Sequence, residues 1–356
     1  MLWILISLIS IYGIVLIKSA SRAGGNFFPS HVIAVLIGVC LAFFIQKIDY
    51  RELAKKWIYI GIFCILLMLF TIFFGTNITG ISGVNARAWI KIAGISFQSS
   101  ELAKIGFILT FAKHLEILKK KNKINNFKSL VFLVLHVFLP VILSRLQGDD
   151  GAAIIFISIA LCEAFMAGID AKFFLWGITL FVLSVPLLWN FALAPYQKNR
   201  ILNQFNPESD PLGIGFQQIQ SKLSIGSGGL FGKGIFCGRR VTDGAVPVQE
   251  SDFIFSVSGE EIGFLGCILI LLLMASLIFV ILKAADNVHD FLGSNICFGF
   301  LGIVMSQCIF NIGMCLSLLP VIGVTLPFFS AGGSSVACLY IGFGLIQSVF
   351  SNLKYR

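Results

Sequence analysis

Five carboxylates crowd one short part of a charge-poor chain: Asp243, Glu250, Asp252, Glu260 and Glu261 lie in or just before the stretch VPVQESDFIFSVSGEE, Val246 to Glu261. A carboxylate held beside apolar surface has its pKa raised, and it can then take a proton from a hydroxyl near neutral pH. Asp252 is placed for this, where polar loop gives way to Phe253, Ile254 and Phe255. If a helix begins near Asp252, Glu260 falls roughly two turns on, close to the same face. The same residues suit plain helix capping, with Ser251 or Asp252 at the N-terminus and Glu260 and Glu261 turned to solvent or a partner.

Three other stretches carry chemically able groups. In NARAWIKIAGISFQSSELAK, Asn85 to Lys104, Ser99 or Ser100 can cap a helix and Glu101 suits its positive end. Lys104 lies three residues from Glu101, so the two can pair on one face. An ionisable residue inside a membrane span is costly and a functional candidate by default. Arg87, Trp89 and Lys91 precede it, and a belt of snorkelling anchors would use the same residue types. In LQGDDGAA, Leu146 to Ala153, Asp149 and Asp150 between glycines read as turn chemistry. The run QSKLSIGSGGLFGKG, Gln220 to Gly234, invites comparison with a phosphate loop and fails it twice. Ser227 stands where the first glycine belongs, and Gly234 follows Lys233 where Ser or Thr is needed. Its glycines suit a chain that turns sharply at a membrane surface or approaches a bulky ligand. His31, His114, His136 and His289 are scattered and read as structural, so no zinc-ligand spacing appears.

These groups must be positioned by elements of a membrane protein. Of 356 residues, 57% are hydrophobic and 12% charged, against roughly 25% charged in soluble domains. The mean hydropathy is +0.94. Apolar runs near the ~20 residues that span a bilayer fall at about 1–17, 31–46, 57–74, 101–118, 129–146, 152–168, 173–190, 258–282, 291–318 and 327–350. The expected fold is therefore an all-α polytopic membrane protein of about ten transmembrane helices. It forms one domain over 1–356, with a large loop, 191–257, between helices 7 and 8. A loop that long is functional more often than idle. Lys47, Arg51, Lys55, Lys56, the cluster Lys119 to Lys128, Lys172, Lys283, Lys354 and Arg356 fall on one side, which places both termini in the cytoplasm. The long loop then faces outward. The basic cluster can also meet anionic lipid heads. The formal charge of +9 is thus a topology signal, and nucleic-acid binding is excluded. Eight of nine cysteines lie in apolar stretches and imply no disulfide framework. The N-terminal run lacks a charged leader and reads as a first span, although Ser19 to Ala23 leaves signal cleavage open.

Five of these segments, in order, resemble the SEDS family of bacterial cell-wall proteins, the group containing RodA, FtsW and SpoVE. ARAWIKIAGISFQSSELAK resembles the family's ARRWI…FQPSELAK block, and LQGDDGAA is similar to LQPDLGTA. QSKLSIGSGGLFGKG is similar to QSxIAIGSGGLxGKG, and ESDFIFSVSGEEIGFLG to HTDFIFAVxGEELGFxG. NIGMCLSLLPVIGVTLPFFSAGGSS resembles the NIGM…LPVTGIPLPFxSYGGSS signature. The ending GSGGLFGKG and the spacing from Gly234 to Pro247 resemble the elongation-type RodA branch. The resemblance implies a multi-pass protein of the bacterial cytoplasmic (inner) membrane with an extracytoplasmic catalytic face. It implies a peptidoglycan glycosyltransferase that polymerises lipid II, and a class B penicillin-binding protein, a transpeptidase, as partner. Asp252 matches the family's essential aspartate; Arg87, Trp89 and Lys104 match a second polar block. Asp149, Lys222, Lys233, Glu260 and Ser330 fall on signature positions that imply substrate binding. Departures are Ala88 for the second Arg of ARRWI, Ser99 for Pro, Asp150 as an extra acid, Val248 for Glu, Glu250 for His and Ala331 for Tyr.

Chain growth on such a substrate needs a sugar hydroxyl to attack an anomeric carbon whose leaving group is a lipid diphosphate. That group is already a stable anion, so one base and nearby cations suffice, unlike the paired carboxylates of glycosidases. Asp252 is the expected base, with Arg87, Lys104 or a loop cation on the diphosphate. A divalent cation, Mg²⁺ or Mn²⁺, could share that work, and nothing in the sequence requires one. The lipid anchor calls for apolar grooves between helices, with membrane lipids around them. A lipid II flippase and a non-catalytic scaffold of an elongation complex are the rival classes. A flippase forms no sugar bond, and a scaffold tolerates loss of Asp252.

Overall fold

The computed structural model describes residues 2–25, 27–79, 85–92, 95–205 and 215–353. The first apolar runs fold as α1 (Leu2–Ala20), α2 (Phe27–Ile45), the short α3 (Tyr50–Lys55) and α4 (Trp57–Phe74). A three-stranded antiparallel sheet follows, β1 (Thr76–Thr79), β2 (Asn85–Ile92) and β3 (Ile95–Gln98), with β2 in the centre. Then come α5 (Ser99–Lys120), α6 (Phe127–Leu146), α7 (Asp150–Ala167) and α8 (Ala171–Leu187). Four short helices, α9 (Pro195–Phe205), α10 (Phe216–Gly228), α11 (Arg239–Thr242) and α12 (Ile254–Glu261), lead to the long α13 (Phe264–Asp286), α14 (Phe291–Cys315) and α15 (Gly333–Leu353).

Nine of the described helices are long and apolar enough to cross a membrane. The tenth expected span, 101–118, is α5. Its six charged side chains, Glu101, Lys104, Lys113, Glu116, Lys119 and Lys120, keep it outside a purely apolar criterion. Most of those charges are paired: Lys104 lies 2.8 Å from Glu101, and Glu116 takes both Lys113 and Lys120. Helix starts are fixed by side chains that accept orphan N–H groups. Asp49 accepts from Arg51 N, Asn126 from Lys128 N, Asp149 from Ala152 N and Asp290 from Gly293 N.

The centre of the bundle is α14, packed on α7, with α15 against α2 and α5. Among lipid-facing chains there is little hydrophobic drive between helices, so close approach over small residues matters. Gly302 of α14 shows it: an added Cβ would sit 2.9 Å from the Ile159 Cα on α7. At the other extreme α8 has no buried residue at all.

Two expectations change. Between 76 and 98 the described residues form a sheet where only an interfacial loop was anticipated. The described residues of the long loop carry the helices α9, α10 and α11 and the start of α12, and the expected span 258–282 is two helices broken at Gly263, which has φ +77. Lys354 and Arg356 lie outside the described residues.

Candidate active site

Asp252 sits in a turn just before α12, outside any span. The helix begins at Ile254 with Phe253 at its N-cap and no capping side chain, so neither Ser251 nor Asp252 serves there. The Asp252 backbone is clamped. Its carbonyl accepts the Asn311 side-chain amide of α14 at 2.8 Å, and the same amide holds the Val324 carbonyl at 2.7 Å. On its N-terminal side the Ser330 hydroxyl donates to the Ser251 carbonyl while accepting Leu326 N at 2.8 Å, and Ala331 N donates to the Glu250 carbonyl at 2.7 Å. The loop before α15 therefore fixes the acid from two sides.

The Asp252 carboxylate receives the Ser251 hydroxyl at 2.9 Å and faces Gly323, where an added Cβ would stand 3.6 Å from Oδ2. Burial pushes its pKa up to about 6; the Ser251 hydrogen bond opposes this, the Glu250 charge adds to it and the Arg200 charge opposes it. Glu250 is itself shifted upward by burial. Arg200, on α9, was not singled out in the sequence, because PYQKNR carries no motif. Asn311 was missed as well, although an amide inside the apolar α14 was a signal. Val248 has φ +56, a left-handed conformation that is costly for a β-branched residue.

A second, half-buried group gathers on Asp149. Asp149 accepts from Gln98 Nε2 at 2.6 Å, Ser100 Oγ at 3.0 Å and Ala152 N at 2.9 Å, which joins β3, α5 and α7 at one point. It is thus a helix cap and a junction, more than the turn residue anticipated. Lys104 is buried with Glu101 instead of lying open to a substrate. Two contacts connect this group to the loop beside Asp252: Gln98 N donates to Ser334 Oγ at 3.1 Å, and Gly151 packs on the Ile322 carbonyl.

Glu260 and Glu261 are wholly buried and turn away from Asp252, contrary to both sequence readings. Glu260 accepts Arg240 N at 2.9 Å and lies 3.5 Å from Lys233 Nζ. Glu261 accepts the Ser19 hydroxyl at 2.5 Å and Gly238 N at 3.4 Å. Their own carbonyls receive Lys233 N and Gly234 N. Gly232 has φ +76, and a Cβ there would lie 2.2 Å from the Glu261 carbonyl oxygen. In return the Gly229 and Leu230 carbonyls cap the first N–H groups of α13. The two acids hold the glycine loop down. Asp243 is an exposed partner of Arg239.

The remaining candidates lie outside the bundle core. Lys222 is exposed on α10, beside Ser221, whose hydroxyl is locked to Ser256 and to the Cys315 carbonyl. Arg87 projects from β2, whose backbone is tied to Gln147. Trp89 is half-buried, with its carbonyl accepting the Thr76 hydroxyl. Ala88, between them, is buried, so the missing second arginine faces the interior side of the strand.

A polytopic helical bundle with an acid of raised pKa, held among loops at the end of its central helix, defines a membrane protein with a polar site at one end of its spans. The profile of the family described as "Cell cycle protein", FtsW/RodA/SpoVE, matches residues 1–355. The chain belongs to this family. It is 33% identical to peptidoglycan glycosyltransferase MrdB of Escherichia coli K12 over 99% of this chain and 93% of that one. It is 32% identical to stage V sporulation protein E of Bacillus subtilis over 100% of this chain and 96% of that one. Among solved structures, a chain from work on a peptidoglycan synthase complex that coordinates polymerization and crosslinking matches with a TM-score of 0.85 and 30% identity, covering 100% and 98% of the two chains. The rod shape determining protein RodA of Thermus thermophilus matches with a TM-score of 0.72 and 27% identity, covering 99% and 96%.

Proposed function

We propose that this chain is a peptidoglycan glycosyltransferase that polymerises lipid II during cell-wall elongation, with Asp252 as general base. The relatives named as peptidoglycan glycosyltransferases support the reaction class. The observation that carries the role of Asp252 is its setting: a carboxylate with a pKa near 6, fixed by Asn311 and Ser330 through its own and its neighbour's carbonyl. A base poised near the operating pH is both ionised and able to take a proton. The acceptor sugar's hydroxyl gives its proton to Asp252 as its oxygen bonds to the anomeric carbon of the donor, and undecaprenyl diphosphate leaves as an anion. Arg200, whose charge acts on Asp252, is the cation proposed for the diphosphate, with Arg87 of β2, Lys222 of α10 and Lys233 of the glycine loop as further candidates. Lys104 instead holds Glu101 and the base of α5.

Among the described residues no three of His, Cys, Asp and Glu gather as a metal site. A Mg²⁺ or Mn²⁺ carried by the diphosphate needs only one or two protein carboxylates, and Glu250, whose charge acts on Asp252, would supply one and leave Asp252 free as the base. The Lys-rich helix ends belong in the cytoplasm, with both termini, and the Asp252 face lies outside the cytoplasmic membrane. A class B penicillin-binding protein is the proposed partner, in line with the synthase-complex neighbour. The test is a lipid II polymerisation assay in detergent, where transport has no meaning. Glycan strands from the wild type and none from Asp252→Ala support the reading. Polymer from a well-folded Asp252→Ala would refute the base, and no polymer from the wild type with its partner would favour a flippase or scaffold.

A further inference from the structure

A groove of about 600 Å³ opens between α4, α5 and α6, away from Asp252. Its walls are apolar, with the half-exposed Ile62, Leu66 and Leu135 on the rim. Its floor is kept low by small residues. Gly106 leaves no room for a Cβ, which would lie 2.4 Å from the Cys64 sulfur, while at Gly61 a Cβ would meet only the Thr110 methyl at 3.6 Å. Pro140 in α6 has no N–H, so the His136 carbonyl lacks its usual helix partner at the groove wall. Along α4 the groove runs from Trp57 to Met68. At 1.5 Å per residue that is about 16 Å, half of a ~30 Å hydrocarbon core. It is one leaflet deep.

One end is polar. Two of the four histidines expected to be scattered meet there: His114 Nδ1 lies 3.1 Å from His136 Nδ1, His136 Nε2 lies 3.2 Å from the Thr110 hydroxyl, and the Trp57 ring stacks over His114 at 6.1 Å. The same end is rich in lysine. Lys55 pairs with Glu52, and Lys113 and Lys120 with Glu116. Lys56, Lys121, Lys123 and Lys128 are exposed and carry no ion pair among the described residues. An apolar slot one leaflet long, ending in an aromatic and imidazole collar beneath unneutralised ammonium groups, has the charge and polarity profile of a phospholipid.

We propose that this groove binds one anionic phospholipid from the leaflet at the Lys-rich end of the helices. One acyl chain lies along α4 between Trp57 and Met68, Trp57 and His114 meet the ester and glycerol region, and Lys56 with the lysines of the α5–α6 connection holds the phosphate. The site is separate from the proposed catalytic centre, so its lipid sets helix packing rather than taking part in the reaction.

Native mass spectrometry of the delipidated full-length protein tests this, titrated separately with dioleoyl-phosphatidylglycerol, zwitterionic dioleoyl-phosphatidylcholine and a polyprenyl phosphate. The wild type should retain one phosphatidylglycerol per chain, about tenfold more tightly than phosphatidylcholine. Gly61→Phe, whose ring would occupy the groove, should lower that retention about tenfold while polymerisation activity persists. Lys56→Gln with Lys121→Gln should erase the preference for the anionic lipid. Should Gly61→Phe fail to fold, Leu135→Trp on the exposed rim carries the same test. Equal retention of the two phospholipids, undiminished retention in the filled groove, or displacement of phosphatidylglycerol by the polyprenyl phosphate would each overturn the proposal.

Discussion

At the scale of single residues the account rests on how one carboxylate is tuned. Burial holds the Asp252 pKa near 6, so the base is ionised above that pH and protonated below it. The acid limb of kcat/KM should bend near pH 6 and fall about tenfold per pH unit beneath it. Glu250→Gln removes a like charge, which favours the ionised form, so the bend should move to lower pH; a shift to higher pH or none would contradict the coupling. The same burial costs stability. A folded pKa above the unfolded value of 3.8 means that protonation stabilises the fold fully below about pH 4, and that this stabilisation is lost as pH rises through 6. At neutral pH the ionised side chain therefore costs on the order of 2–3 kcal/mol. Asp252→Asn should raise the apparent Tm at pH 7.5 and leave it nearly unchanged at pH 4. The position of Asp252 at a polar-to-apolar junction was legible in the sequence, but that pattern suited helix capping equally, and the family resemblance singled it out among five neighbouring acids. Arg200 was not, because only tertiary folding of α9 brings its charge to bear.

At the scale of elements, loops are fixed by backbone contacts that carry no side-chain signature. The Ser330 hydroxyl bridges Ser251 and Leu326. Ser330→Ala should cost about 1–2 kcal/mol and lower kcat with little change in KM, since it moves the base and not a binding surface; restoration by Ser330→Thr would separate positioning from simple destabilisation. In the glycine loop, Gly232→Ala forces a methyl into the Glu261 carbonyl at a positive φ, and it should lower the Tm more than Gly226→Ala, where nothing lies within 4 Å of the new atom. The spans were readable because each is a long apolar run. The sheet was signalled and passed over: Ala86, Ala88 and Ile90 alternate with Arg87, Trp89 and Lys91, the period of a half-buried strand. The helices α9 to α11 were not readable, because they are short, lie within a polar loop and are held by contacts distant in sequence, whereas a helix beginning near Asp252 was anticipated. Nor could the sequence separate Glu260 and Glu261 from Asp252, since their partners Arg240, Ser19 and Gly238 are brought to them only by the fold.

At the scale of the whole molecule, the buried ammonium of α5 is neutralised by its own helix. Lys104 and Glu101 are both buried and lie beside the Asp149 junction. Removing one partner of such a pair costs about 3–5 kcal/mol, whereas replacing both with apolar residues is often close to neutral. Lys104→Met alone should therefore lose most of the folded protein, and Lys104→Met with Glu101→Leu should recover it and its activity. A stable but inactive double variant would assign Lys104 to the substrate instead. The central claim is tested most directly by the rate of glycan formation from purified lipid II, compared between wild type and Asp252→Ala with a class B penicillin-binding protein present, both proteins verified as folded by their melting profiles. The account predicts strands from the wild type and none above background from the variant. Strands of equal yield from Asp252→Ala would contradict it.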